Sequence, residues 1–256
     1  MSLNHKYPGS KIIKAYVPKN LSSWSVEYPN YNPVYYTSPR VLRHPSWADD
    51  DSTQDIKFNQ NDEYINRVSY TGHYSIAFGV PRNPVCRTGI IGRGLLGKWG
   101  PNHAVDIIIS RWKKNGFIEF ICITRKYSGN LAFPGGMVDN GETENGAMVR
   151  EAMEEVFNLK HTDELKRAAK WLKKNIPNGN DLYMGYIHDS RNTDNAWIET
   201  RVRGCIEKNG DKIDFNVNAG SDAGGAFWIT ASNKLNISYH HKSILKTYCN
   251  IIGAKF

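Results

Sequence analysis

Residues 133–158 read FPGGMVDNGETENGAMVREAMEEVFN. Glycine and acidic side chains are spaced here in a way that can do chemistry. Gly136 and Glu142 lead into Arg150 and Glu151, and Glu154 and Glu155 follow. On a helix turning about 100° per residue, Glu155 falls about 40° to one side of Glu151 and Glu154 about 60° to the other. Like charges so close repel, and a chain that keeps them together needs a cation over them. Clustered carboxylates form a hard oxygen site, which suits magnesium or manganese with retained waters and phosphate oxygens. Such ions could grip a diphosphate and activate a water. Arg150 lies about 100° from Glu151, so it is expected to orient the carboxylates by ion pairing and not to hold the metal. Glu142, in the loop before the helix, joins through a water or braces the loop.

These side chains need a fixed platform. Val149, Ala152, Met153 and Val156 gather on the face opposite the carboxylates, so burying that face would fix the helix and, with it, the acidic groups. The Pro-Gly-Gly turn before it lets the main chain approach a ligand closely, through the conformational freedom of Gly135 and Gly136. From residue 103 onward, strand and helix patterns alternate. AVDIIISRWK and FIEFICITRK read as strands joined by a KNG hairpin, and LAFPGGMVD follows as a short strand and turn. DELKRAAKWLKKNI reads as a second helix, DLYMGYI, NAWIETRVRGCIE and GGAFWIT as strands, KNGDK as a turn, and HHKSILKTYCNII as a closing helix. Residues 103–256 are therefore expected to form an α/β layer structure.

Residues 1–102 have a different texture. Recurring prolines at 8, 18, 29, 33, 39 and 45 disfavour long helices. KIIKAYV reads as a short strand, and PRNPVCRTGIIGRGLLGKWGPN, residues 81–102, as an extended, glycine-rich connector. Arg87 and Arg93 flank glycines there and are expected to reach toward a phosphate. The expected division is a smaller, strand-rich N-terminal domain over 1–102 and a second domain over 103–256.

The 256 residues carry a formal net charge of +8, which favours phosphate-bearing partners. The basic residues are dispersed, which argues against nucleic acid. No apolar run approaches the roughly 18 residues of a membrane span. Four widely spaced cysteines with no CxxC pair argue against zinc and against a disulfide framework, and place the chain in a reducing, intracellular compartment. The first residues, MSLNHKYPGS, lack a signal-peptide core. A cytoplasmic location is expected, or a mitochondrial one if a targeting segment has been removed.

The acidic segment resembles the Nudix box. Gly136, Glu142, Arg150, Glu151, Ala152, Glu154 and Glu155 match its pattern, while Phe157 replaces a glycine and Asn158 an apolar residue at the helix end. RTGIIGRGLLGKWGPNHAVD and DSRNTDNAWIET are similar to ADP-ribose pyrophosphatases of the human mitochondrial type and to the Nudix-like domain of ADP-ribose-gated melastatin channels. The resemblance implies a Nudix α/β/α sandwich with a mixed sheet (an α+β or α/β fold), preceded by a substrate-side domain. It implies magnesium-dependent hydrolysis of ADP-ribose to AMP and ribose 5-phosphate. Glu151, Glu154 and Glu155 would be the metal ligands, and Gly136, Asp189, Arg191 and His241 would contact the substrate. Glu155 or Asp222 would be the general base. The rival readings are an ADP-ribose sensor within a larger channel polypeptide and an enzyme acting on capped RNA. The intact acidic set favours hydrolysis over sensing, and the dispersed charge argues against RNA.

Overall fold

The computed structural model describes residues 6–62, 64–125, 129–157, 162–207, 217 and 223–256. The chain divides into two units. The first comprises the chain up to His103 together with Asp139–Gly141 and Gly185–Thr200; the second comprises Ala104–Val138, Glu142–Met184 and Arg201–Phe256.

The second unit is an α/β/α sandwich. Its strands belong to a seven-stranded sheet of order β11-β6-β5-β10-β9, with β7 beside β6 and β8 beside β5. These are β5 (Gly100–Trp112), β6 (Ile118–Arg125), β7 (Leu131–Ala132), β8 (Gly135–Met137), β9 (Asn180–Tyr186), β10 (Ala196–Ile206) and β11 (Ala223–Thr230). β5 and β6 form the expected antiparallel hairpin, with Ser110 opposite Phe120. Its turn uses Asn115 and Gly116 at φ 69° and 79°, the left-handed pair that matches strand twist. Alternation along β5 and β6 builds two cores. Val105, Ile107, Ile109, Ile121 and Ile123 pack with Met148 and Ala152 of α1 (Glu144–Glu155) and with Ala168, Trp171 and Leu172 of α2 (Thr162–Asn175). Ile108, Ile118, Phe120 and Cys122 face the other way, against Ile244, Leu245, Tyr248 and Cys249 of α3 (Tyr239–Ile252). Burying each large aliphatic side chain contributes about 1.5–3 kcal/mol, so this pattern fixes the helices to both faces. Phe157 is fully buried in the first of these cores, so it ends α1 as a packing residue.

The first unit holds β1 (Val34–Thr37) parallel to β4 (Ile90–Gly94), and a small antiparallel pair, β2 (Ile76–Ala77) with β3 (Val80–Pro81). Two expectations fail here. KIIKAYV is not a strand: it contributes one isolated bridge, Lys6 to Ile13. Residues 81–102 are not a connector, because they contain β4 and the start of β5 and bury Ile90, Arg93, Leu96 and Trp99. Glycines gave this stretch the composition of a loop. They serve close packing instead: a Cβ at Gly97 would lie 2.7 Å from the Trp47 ring and carbonyl. The KNGDK turn at 208–212 lies outside the described residues. No described helix is long and apolar enough to cross a membrane.

Candidate active site

The acidic helix α1 begins where expected. Thr143 caps it, its hydroxyl oxygen accepting from the Gly146 amide at 3.1 Å. Two arginines of β10 anchor the first turn. Arg201 donates to Glu144 at 2.6 Å and Arg203 to Asn145 at 2.6 Å, and both also bind Asp181 of β9. Ala147, Met148 and Ala152 are buried beneath the helix.

Above this base, Arg150 is the hub of a cage. Its Nε and Nη2 donate to the two oxygens of Glu142 at 3.0 and 2.9 Å, its Nη2 also to the Met137 carbonyl at 2.9 Å, and its Nη1 to Glu151 at 2.7 Å. Glu154 lies 3.6 Å from the same Nη1 and is 62% exposed. Hydrogen bonds to Glu142 and Glu151 raise the guanidinium pKa further, so its charge is permanent. Glu142 therefore braces the loop directly, through this fork.

The two glycines of β8 make the carboxylate positions possible. The Gly135 amide donates to Glu155 Oε2 at 2.9 Å, and a Cβ on Gly135 would lie 2.1 Å from the Val105 carbonyl oxygen. At Gly136 a Cβ would sit 2.2 Å from Glu151 Oε1. Burial pushes the Glu155 carboxyl up to about 7, against the Gly135 hydrogen bond, with Glu151 and Asp106 adding repulsion. Burial likewise raises Glu151, and Glu154 and Glu142 add to it against the pull of Arg150.

The donor set suits a hard divalent ion by type. It is all oxygen, and two of its three carboxylates are crowded by burial and by each other. Among the described residues no three acidic, histidine or cysteine side chains converge into a ready-made cage. Waters and substrate oxygens would complete any coordination shell.

His241 is the third residue of α3, its amide donating to the Ser238 cap at 3.2 Å. Its ring stacks on Phe133, centroids 4.5 Å apart, and its Nε2 lies 3.9 Å from Asp106 Oδ1. Burial, with Arg125 and His240 nearby, lowers its pKa to about 4, so the imidazole is neutral at physiological pH. Neither Asp106 nor Phe133 was picked out from the sequence. The available signal was a lone aspartate inside the apolar run AVDIIIS.

Asp189 and Arg191 belong to the first unit and pair with each other. Arg191 donates from Nε and Nη2 to the two carboxylate oxygens at 2.8 and 2.9 Å. Arg87 and Arg93 do not play the phosphate-seeking role expected of them. Arg87 donates to the carbonyls of Leu21, Ser23 and Val26. Arg93 is fully buried, on Asp51 and the carbonyls of Asp49 and Gly97. Asp222 lies outside the described residues.

An α/β/α sandwich presenting an arginine-braced acidic helix beneath a double-glycine strand is the architecture of a diphosphate hydrolase of one recognisable kind. Residues 17–100 match the model of the NUDT9-like N-terminal domain, and residues 101–215 that of the NUDIX domain. The chain is 40% identical to the mitochondrial ADP-ribose pyrophosphatase of Rattus norvegicus, over 94% of this chain and 74% of that protein. It is 42% identical to putative nudix hydrolase 6 of Caenorhabditis elegans, over 92% of this chain and 90% of that one. The chain belongs to the Nudix hydrolases, in the group that carries a NUDT9-like N-terminal domain. It is also 38% identical to the Nematostella vectensis transient receptor potential cation channel subfamily M member-like 2, over 98% of this chain but only 17% of that polypeptide.

Proposed function

We propose that this protein hydrolyses the diphosphate of ADP-ribose, giving AMP and ribose 5-phosphate, with magnesium as its cation and manganese as a substitute. The observation that carries this is the Arg150 cage. One guanidinium holds Glu142, Glu151 and Glu154 in a group, while Glu155 is held separately by the Gly135 amide. The choice of ADP-ribose is supported by the rat relative's described activity, at an identity that extends through both domains.

In this reading Glu151, Glu154 and Glu155 hold the cation, which supplies charge neutralisation at the diphosphate oxygens and a more acidic water. Arg150 and Glu142 fix the carboxylates before substrate arrives, lowering the reorganisation needed at the transition state. Gly136 leaves room for Glu151 and an open backbone edge for the substrate. Asp189, Arg191 and His241 are assigned to contacts with ADP-ribose. Glu155 takes the proton from the attacking water, with Asp222 as the alternative base. We further propose the domain division at residues 102 and 103, and an intracellular setting, mitochondrial or cytoplasmic, in which the four free cysteines stay reduced.

Chromatography of the products from ADP-ribose and a panel of other nucleoside diphosphate compounds tests the reading. AMP from ADP-ribose, dependent on magnesium, is the expected result; no cleavage of ADP-ribose would overturn it. A sensor of ADP-ribose within a larger channel polypeptide is the second reading, favoured by the similarity to the Nematostella channel across nearly the whole chain. Binding of ADP-ribose without AMP release would select it.

A further inference from the structure

The Asp189–Arg191 pair sits on a short loop whose backbone is held from the far end of the chain. Tyr7 is 1% exposed. Its hydroxyl donates to the Arg191 carbonyl at 2.6 Å and accepts from the Leu95 amide at 2.9 Å. The adjoining carbonyl, that of Ser190, accepts from Lys14 Nζ at 2.8 Å. The two side chains brace each other, since the Lys14 ammonium lies 5.2 Å from the centre of the Tyr7 ring, and that ring also packs edge-on against Tyr36 at 5.2 Å.

The surrounding chain is shaped to admit the phenol. Gly94 has φ +58°, and a Cβ there would lie 2.0 Å from the Tyr7 hydroxyl oxygen. The phenol therefore occupies space that only glycine leaves open. Burial raises its pKa to about 12, so it remains a neutral donor across the working range. The loop is closed on its own side as well. Asp189 Oδ1 accepts from the Arg191 amide at 2.8 Å, and Asn192 donates to the Ile187 carbonyl at 2.7 Å. Two consecutive carbonyls pinned by two side chains leave the loop little freedom to turn its ion pair.

We propose that Tyr7 and Lys14 are positioning residues of the Asp189–Arg191 substrate subsite, fixing the direction in which that ion pair faces the ligand through the carbonyls of Arg191 and Ser190. This rests on the reading that Asp189 and Arg191 contact ADP-ribose. Neither Tyr7 nor Lys14 touches substrate in this proposal. Their removal therefore weakens binding in ground state and transition state alike, raising KM and sparing kcat.

The test is steady-state hydrolysis of ADP-ribose with magnesium by the full chain carrying Tyr7→Phe, Lys14→Met, Asp189→Asn, or Tyr7→Phe with Asp189→Asn. The phenylalanine keeps the ring packing and removes only the hydroxyl, and the thermal midpoint of each variant confirms that it is folded at the assay temperature. The expected result is a KM raised roughly 3- to 10-fold by Tyr7→Phe, with kcat within about twofold. Lys14→Met should do the same more weakly. In the Asp189→Asn background the Tyr7→Phe effect should largely disappear, because the pair it orients is already broken. An unchanged KM in folded Tyr7→Phe, while Asp189→Asn raises KM, overturns the positioning role alone. A Tyr7→Phe effect that persists in full in the Asp189→Asn background also overturns it. An unchanged KM in Asp189→Asn overturns the subsite reading itself, and the positioning role with it.

Discussion

The carboxylate of Glu151 occupies the place where a side chain on residue 136 would begin. The nearest carboxylate oxygen is 2.2 Å from an ideal Cβ at Gly136, and the carboxyl carbon 2.5 Å. Gly136 does not have a positive φ, so backbone strain is not what excludes alanine here. Gly136→Ala should keep the fold and displace Glu151 from Arg150. A displacement of the order of 1 Å at a reacting centre costs about 10²-fold in rate. The expected outcome is a kcat lower by roughly that factor with a circular dichroism spectrum like that of the wild type. An alanine variant with full kcat would show that the Glu151 position is irrelevant to turnover.

Arg150 joins three parts of the chain: the loop at Glu142, the Met137 carbonyl of β8, and the helix itself. Arg150→Ala leaves partly buried carboxylates facing one another without their cation. It should lower stability by about 2 kcal/mol in urea denaturation and lower activity as well. Arg150→Lys should recover part of the stability and little of the activity, because an ammonium cannot reproduce the fork to Glu142.

Glu154→Gln combined with Glu155→Gln should abolish AMP formation while leaving the thermal midpoint nearly unchanged. A glutamine at 155 can still accept from the Gly135 amide, and Glu154 is mostly exposed. Chelation of divalent ions should stop wild-type turnover, and added magnesium should restore it. Full activity in the double variant would remove these carboxylates from the mechanism.

His241 gives a stability signature in mild acid. Its pKa is about 4 in the fold against 6.5 in the unconstrained side chain. The unfolded chain therefore takes up this proton first, and stability is lost as pH falls from about 6.5 toward 4. Asp106, 3.9 Å from Nε2, is beyond hydrogen-bond reach, and the net shift remains downward. At pH 5 the loss from this residue is about 2 kcal/mol. Urea midpoints at pH 7 and pH 5 should differ less for His241→Gln than for wild type. Equal differences in the two proteins would refute the assignment.

The acidic helix was legible because its chemistry and its packing share one period. The acidic residues and the apolar ones recur within the same few turns, so a local window contains both. The buried face is nevertheless turned from the expected one: Ala147 and Met148, on the carboxylate side, are fully buried with Ala152 and Val156, while Val149 and Met153 are only partly buried. The β5–β6 hairpin was legible for a similar reason, through alternating apolar residues and an Asn-Gly turn. The first unit was not. Its order rests on bonds such as Tyr7 to Arg191, 184 residues apart in the chain, and on glycines that read locally as loop. Arg87 and Arg93 were misjudged on the same ground, since a basic residue near glycines looks free to reach a phosphate until the carbonyls that surround it are known. Asp106 was hidden by its strand, where one acid among isoleucines passes for an irregularity.

β5 gives every second residue from Val105 to Ile109 to the layer of α1 and α2, and Ile108, between them, to the layer of α3. A single-residue insertion or deletion inside that stretch would reverse the assignment of everything beyond it, stranding aliphatic groups on the wrong side for both layers at once. The strand is thus a ruler shared by two cores, and length changes in this fold must find their place in its loops.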